Sequence, residues 1–338
     1  MKLILPFALD MTFTAYQKRG YEFGIISAVK QDTRPWLLSK YCNLRYLQSS
    51  NAKFDFVITD GEWFLNDGVF QSQVIRSRKR TSSFLDFDWI DIIIKHLKNG
   101  IYVYGYFDEY FIPGKSAFNK YHFKHSFFIY GFDDEAGTFY AAGYTGNDKF
   151  EPYEISITDF TKALDAVSHT DLNFIRLNPA FEYAFDPRRT FFGLYDYTYS
   201  LCTLSEPESN TVYGIDATRK MADYICGCIS GPVYADLRYS RFLFEFKQFM
   251  RERIKYLKAT DFIHCDTALP EELCETYRKL HLLFIKYDLT GHATVFDGWP
   301  EELIRLADEE RRYMLSLLDD YAESIKRKES ELHYDGGL

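Results

Sequence analysis

The stretch HSFFIYGFDDEAGTFYAAG, His125–Gly143, decides how this chain is read. Two aromatic, apolar runs flank DDEAG, whose acidic residues and glycine suit a tight connection, so the segment predicts a β-hairpin led by a histidine. Imidazole is the side chain that changes charge near neutral pH. A histidine opening a strand is therefore either a proton carrier or a structural residue, and its neighbours decide which.

Upstream, SSFLDFDWIDIIIKHLKNG predicts a helix capped by Ser83 or Asp86 and stopped by Gly100, with Trp89, Ile92, Ile93 and Leu97 facing inward. IYVYGYFDEYFI (Ile101–Ile112) follows as a long aromatic strand, and PGKSAFNKYHFK is the loop into the hairpin. Downstream, FEPYEIS reads as a strand, ITDFTKALDAV as a short helix and DLNFIRL as a last strand. Nearer the start, EFGIISAV (Glu22–Val29) is β-branched and predicts a strand, as does the alternation in KFDFVITD (Lys53–Asp60). Between them DTRPWLLSKYCNLRYL predicts a helix, capped by Asp32 or Thr33 with Pro35 in its first turn and Trp36, Leu37, Tyr41 and Leu44 on one stripe. After about Asn178 the strand signals fade and long amphipathic helices take over, with Pro270 and Pro300 at first turns. The fold class expected is α+β: an α+β domain over 1–178 with an antiparallel sheet, then an all-helical domain over 179–338.

The chain has 338 residues, enough for two cores, and 18% of them are aromatic, with 31 Phe and 27 Tyr. That excess supports dense packing or an aromatic-lined pocket. A formal charge of −9 argues against a general nucleic-acid partner, which needs basic surface. The basic run RSRKR (Arg76–Arg80) reads as a solvated loop, or a patch for an acidic partner. The six cysteines form neither a disulfide framework nor a zinc pattern. His122 sits in the loop three residues before His125, a spacing that sets no fixed geometry there, and no carboxylate cluster completes a metal site, so no metal and no cofactor are expected. The opening MKLILPFALD meets Pro6 and Asp10 too early for a signal peptide, and no apolar run approaches the ~18 residues of a membrane span. A cytoplasmic location with reduced thiols is the expectation.

The order helix, aromatic strand ending in DEYFIPG, loop, histidine and GFDDEAGTFY hairpin resembles the N-terminal domain of the butirosin-biosynthesis acyltransferase family, papain-like proteins of peptide and amino-acid natural-product pathways. The resemblance covers roughly Trp36 to Leu177, and DLRYSRFLFEFKQFMRERIKYL is similar to the helical extension such proteins carry. It implies acyl transfer through Cys, His and Asp: the thiolate attacks a carrier-bound thioester and an amine takes the acyl group. Such a thiolate needs a helix N-terminus and an imidazole to lower its pKa, and the imidazole needs a partner that fixes its tautomer.

Carried onto this chain residue by residue, the resemblance puts His125 at the histidine, facing a groove between a sheet and the amino end of an early helix. The expected aspartate position holds Gly143, leaving Asp148 or Asn147 to swing in from the next turn. At the expected nucleophile position DTRPW offers Thr33, whose simplest role is a helix cap, and Cys42 lies about nine residues into the same helix, where a thiol is more often core. The candidate catalytic residues are thus His125, Cys42, Thr33 and Asp148. Two functions follow: an acyltransferase or thioester hydrolase with a degenerate catalytic set, or a non-catalytic papain-like protein that binds an acyl or peptidyl carrier protein, a small-molecule amine or a peptide intermediate. A third is a scaffold whose aromatic excess is packing alone.

Overall fold

The computed structural model describes residues 1–9, 13–57, 68–78, 88–167, 169–231 and 233–335. The proposed caps Ser83 and Asp86, and Lys79 and Arg80 of the basic run, lie outside them. The architecture is mixed α+β, sheet-rich in its N-terminal region and helix-rich in its C-terminal region. The chain divides into two compact units, one of Met1–Gln31 with Asp60–Glu182, the other of Asp32–Thr59 with Tyr183–Leu338. Neither is a continuous stretch of sequence, and 32–59 folds with the helix-rich unit rather than inside a domain ending at 178.

The first unit is built on an antiparallel sheet. Strands β1 (Lys2–Ile4), β4 (Phe70–Arg78), β5 (Tyr102–Asp108), β6 (Lys124–Asp133), β7 (Thr138–Tyr144), β8 (Phe150–Ser156) and β9 (His169–Leu177) take part. Their order is β4-β9-β5-β6-β7-β8, and β1 pairs with Gly131–Asp133 of β6, beyond the reach of β5. The hairpin read from His125–Gly143 is β6–β7, with Asp133 opposite Thr138 across its turn. Side chains alternate along β6. Phe128 stacks on Tyr21 and Tyr102, at 4.9 and 5.5 Å between centroids. Phe127 meets Phe160 of α4 (Ile157–Asp165) at 5.0 Å.

Glu22–Val29 is not a strand. Glu22–Ser27 forms the second half of helix α1 (Gln17–Ser27), which packs on β6 and β7. The β-branched residues suggested a strand, but tertiary packing overrides propensity where a helix fits. A Cβ at Gly20 would lie 2.6 Å from the Phe150 ring, so this glycine lets the helix settle on the aromatic sheet. Helix α3 (Trp89–Lys98) is capped by Asp88 rather than by Ser83 or Asp86, and the Asp88 carboxylate accepts the amides of Ile90 and Asp91. Ile93 and Leu97 are fully buried.

In the second unit the helix expected over Asp32–Leu47 ends after six residues, as α2 (Arg34–Ser39). Tyr41 takes a left-handed backbone, φ 52°, and the chain turns into β2 (Leu44–Leu47), the middle strand of a small sheet with β3 (Phe54–Phe56) and β10 (Thr211–Tyr213). Helices α5 (Pro187–Tyr199), α6 (Gly214–Ser230), α7 (Leu237–Ala259), α8 (Ala268–Thr290) and α9 (Trp299–Asp335) make up the rest. Sequence periodicity missed α5, which starts from an Asp186 cap with Pro187 in its first turn. A wholly buried network joins α5, α7 and α9: Lys247 Nζ donates to Glu310 at 2.5 Å and to the Tyr197 hydroxyl at 2.8 Å, and that hydroxyl donates to Glu310 at 2.9 Å. No helix among the described residues is long and apolar enough to cross a membrane.

Candidate functional site

The site grows from the end of β5. Asp108 closes the strand, and its carboxylate accepts the backbone amides of Tyr110 and Phe123, both at 3.0 Å, and the His122 ring at 2.6 Å. Burial alone would raise this carboxyl; the His122 bond and the two amides outweigh it and hold its pKa below the ordinary value. The three bonds fix a single 3₁₀ turn, Glu109–Phe111, against the entry to β6. The Glu109 amide adds a bond to the Phe123 carbonyl at 2.9 Å.

Glu109 is thereby aimed at His125. Its Oε1 lies 2.8 Å from His125 Nδ1. A carboxylate accepts, so Nδ1 carries the proton and, in the neutral ring, Nε2 keeps its lone pair. The His125 side chain is 35% exposed while that of Glu109 is 7% exposed, which is the arrangement of a reachable base on a buried anchor. The exposed Phe123 ring stands beside the imidazole at 5.1 Å, and exposed Tyr121 meets Phe123 at 6.3 Å.

Behind Glu109 lies Lys115. Its Nζ donates to the Tyr144 carbonyl at 2.5 Å, sits 3.8 Å from Glu109 Oε1 and lies 4.1 Å from the centre of the Tyr153 ring. Burial drives its pKa down to about 8 despite the pull of Glu109. Tyr153 is fully buried, its hydroxyl has no hydrogen-bond partner among the described residues, and burial pushes its pKa far up. Tyr21 and Tyr104 are shifted the same way by the same cause.

The early helix that approaches this strand within the first unit is α1. Its first residue, Gln17, donates to the Ser126 carbonyl at 2.6 Å and to the Ser126 hydroxyl at 3.0 Å, while its Oε1 accepts the Tyr144 amide at 2.8 Å. Ser126, rather than His125, is what β6 turns toward the helix; strand alternation puts His125 on the side of Phe127. The imidazole is not sealed among apolar side chains, but its partner is the 3₁₀ turn instead of a helix N-terminus.

Cys42 and Thr33 belong to the second unit, as does every other cysteine, so the first unit holds no thiol. Cys42 is in the turn after α2, buried, with its Sγ 3.6 Å from the Ser39 and Lys40 carbonyls. Burial raises its pKa, with Arg253, Arg189 and Lys40 opposing only in part, the reverse of what a nucleophile needs. Thr33 stands at the N-cap of α2 without a side-chain capping bond, and its carbonyl accepts the Leu37 amide at 3.0 Å. Asp148 is exposed in the β7–β8 turn, where its amide closes the turn on the Thr145 carbonyl at 3.1 Å.

Reading the sequence missed Glu109, Lys115 and Gln17. The first was quoted within DEYFIPG and read as strand; the signal available was Asp108, a turn-capping residue directly before it. Among the described residues no group of three His, Cys, Asp or Glu side chains could hold a metal ion. No known protein-family model matches this chain, and comparison with curated proteins finds no relative.

Proposed function

We propose that the first unit is an acyl-transfer centre of papain-like descent in which His125, anchored by Glu109, acts as general base directly on the acceptor. The observation that carries the reading is the 2.8 Å contact between His125 Nδ1 and a buried carboxylate, which leaves Nε2 free to take a proton at a half-open position. The substrate is a carrier-bound thioester and the acceptor an amine. As the amine nitrogen bonds to the thioester carbon, Nε2 removes its proton; the C–S bond then breaks and the imidazolium returns the proton to the departing thiolate. No covalent acyl-enzyme forms in this scheme, which fits a unit whose sequence contains no cysteine.

The test is thiol release from a panel of short N-acetylcysteamine acyl thioesters offered with amino acids and polyamines. Release dependent on the amine, lost in H125Q and unchanged in C42A, supports the reading. Release that is absent across the panel, or indifferent to H125Q, overturns it.

One observation favours a second reading, a non-catalytic binder: Phe123 exposes its ring beside His125, with exposed Tyr121 next to it. Saturable binding of an acylated carrier protein, weakened by Tyr121→Ser and Phe123→Ser but without turnover, would select it.

A further inference from the structure

Glu109 Oε1 is shared between two nitrogens, His125 Nδ1 at 2.8 Å and Lys115 Nζ at 3.8 Å. A buried carboxylate facing an imidazole alone favours the imidazolium, in which Nε2 is already protonated and cannot act as a base. A second cation on the same oxygen removes that bias. We propose that Lys115 is a positioning residue whose ammonium balances the Glu109 charge and so keeps the His125 ring neutral. The proposal deepens the reading of His125 as a base and rests on it for its functional meaning.

The surroundings leave this balance to Lys115. Of the other charged groups near the imidazole, Asp108 is occupied by His122 at 2.6 Å. Lys124, the β6 residue before His125, points to the Tyr106 ring at 5.6 Å. On α4, Asp159 and Lys162 pair with each other at 3.1 Å. Helix α1 and strand β8 bring the phenols of Tyr21 and Tyr153 near Glu109, and burial keeps both protonated. Lys115 is itself held in place from behind: its backbone amide bonds the Ile112 carbonyl, the neighbouring Gly114 carbonyl accepts the Gly146 amide at 2.7 Å, and its Nζ is tied to Tyr144. A lysine with a 1% exposed side chain cannot serve as a surface contact; burial lowers its pKa to about 8, and Glu109 opposes that fall, so the ammonium persists at neutral pH.

The experiment follows the His125 ring protons by NMR through a pH titration, with no substrate present. In K115M the midpoint rises relative to wild type, since the carboxylate now acts on the imidazole alone. In E109Q it falls, since the ammonium is left without its counter-charge. K115R, which keeps the charge, stays close to wild type. A folded K115M whose midpoint does not move overturns the proposal. Should K115M fail to fold, E109Q decides alone, and an unchanged midpoint there overturns it equally. Because nothing in this titration depends on turnover, its failure removes the role of Lys115, whereas absent thiol release removes the acyl-transfer reading.

Discussion

Gly143 has no side chain because Gln17 occupies the space one would need. A Cβ at Gly143 would lie 2.8 Å from Gln17 Oε1, and the backbone there has φ +155°. The position where the family resemblance expected an aspartate is thus filled by the amide that ties α1 to β6 and β7. Installing the missing acid should therefore harm the protein. Gly143→Asp is expected to cost about 2 to 4 kcal/mol through displacement of Gln17 and backbone strain, read as a lower urea midpoint with no gain in thioester cleavage. A variant of unchanged stability would contradict this packing.

The Cys42 thiol is buried and its pKa is raised. In native protein at about pH 7.5 iodoacetamide should label it more slowly than exposed Cys226, and H125A should leave its rate unchanged. Peptide mapping after timed quenching gives the rates. Fast, His125-dependent labelling would restore a cysteine mechanism.

Arg253 is fully buried on α7 and serves the end of α2, donating to the Leu38 carbonyl at 2.7 Å and the Lys40 carbonyl at 2.5 Å, with its guanidinium 5.0 Å from the Phe249 ring centre. Arg253→Met takes the guanidinium donors from both carbonyls, and a loss of about 3 kcal/mol is expected. Arg253→Lys should recover less than half, because an ammonium lacks the planar fork that reaches both oxygens. Chemical denaturation of the three proteins measures this.

Lys115 also sets a pH dependence for stability. Its folded pKa, about 8, lies below the ordinary 10.5. Between those values the unfolded chain binds more protons than the native one, so stability rises with pH and is lost again as pH falls through about 8. Relative to K115M, the wild-type protein should gain about 1.5 to 2 kcal/mol between roughly pH 7.5 and 9.5. Urea titrations at the two pH values give the difference, and parallel curves would contradict a buried, depressed lysine.

The hairpin of residues 125–143, strand β8, helix α4 and the long C-terminal helices were legible because each repeats a local period and ends in its own turn or cap signal. What failed was decided at a distance. Glu22–Val29 has strand-like residues but packs as a helix because the aromatic face of the sheet accepts it, with Gly20 against Phe150. Tyr41 ends α2 through a backbone angle that no periodicity announces. In the candidate site, His125 was legible as a histidine opening a strand. Its anchor was not, since the bond to Glu109 exists only because Asp108 bends the chain just before it.

The interleaving of the two units bears on synthesis and on truncation. Strand β2 waits for β10, and the Asn51 carbonyl accepts the hydroxyl of Tyr239, 188 positions later in the chain. During translation the segment 32–59 leaves the ribosome long before its partners, and it stays unsatisfied while the sheet of the first unit is being made. A fragment ending at 178 would carry that apolar segment with nothing to cover it, and would be a poor soluble reagent for studying His125.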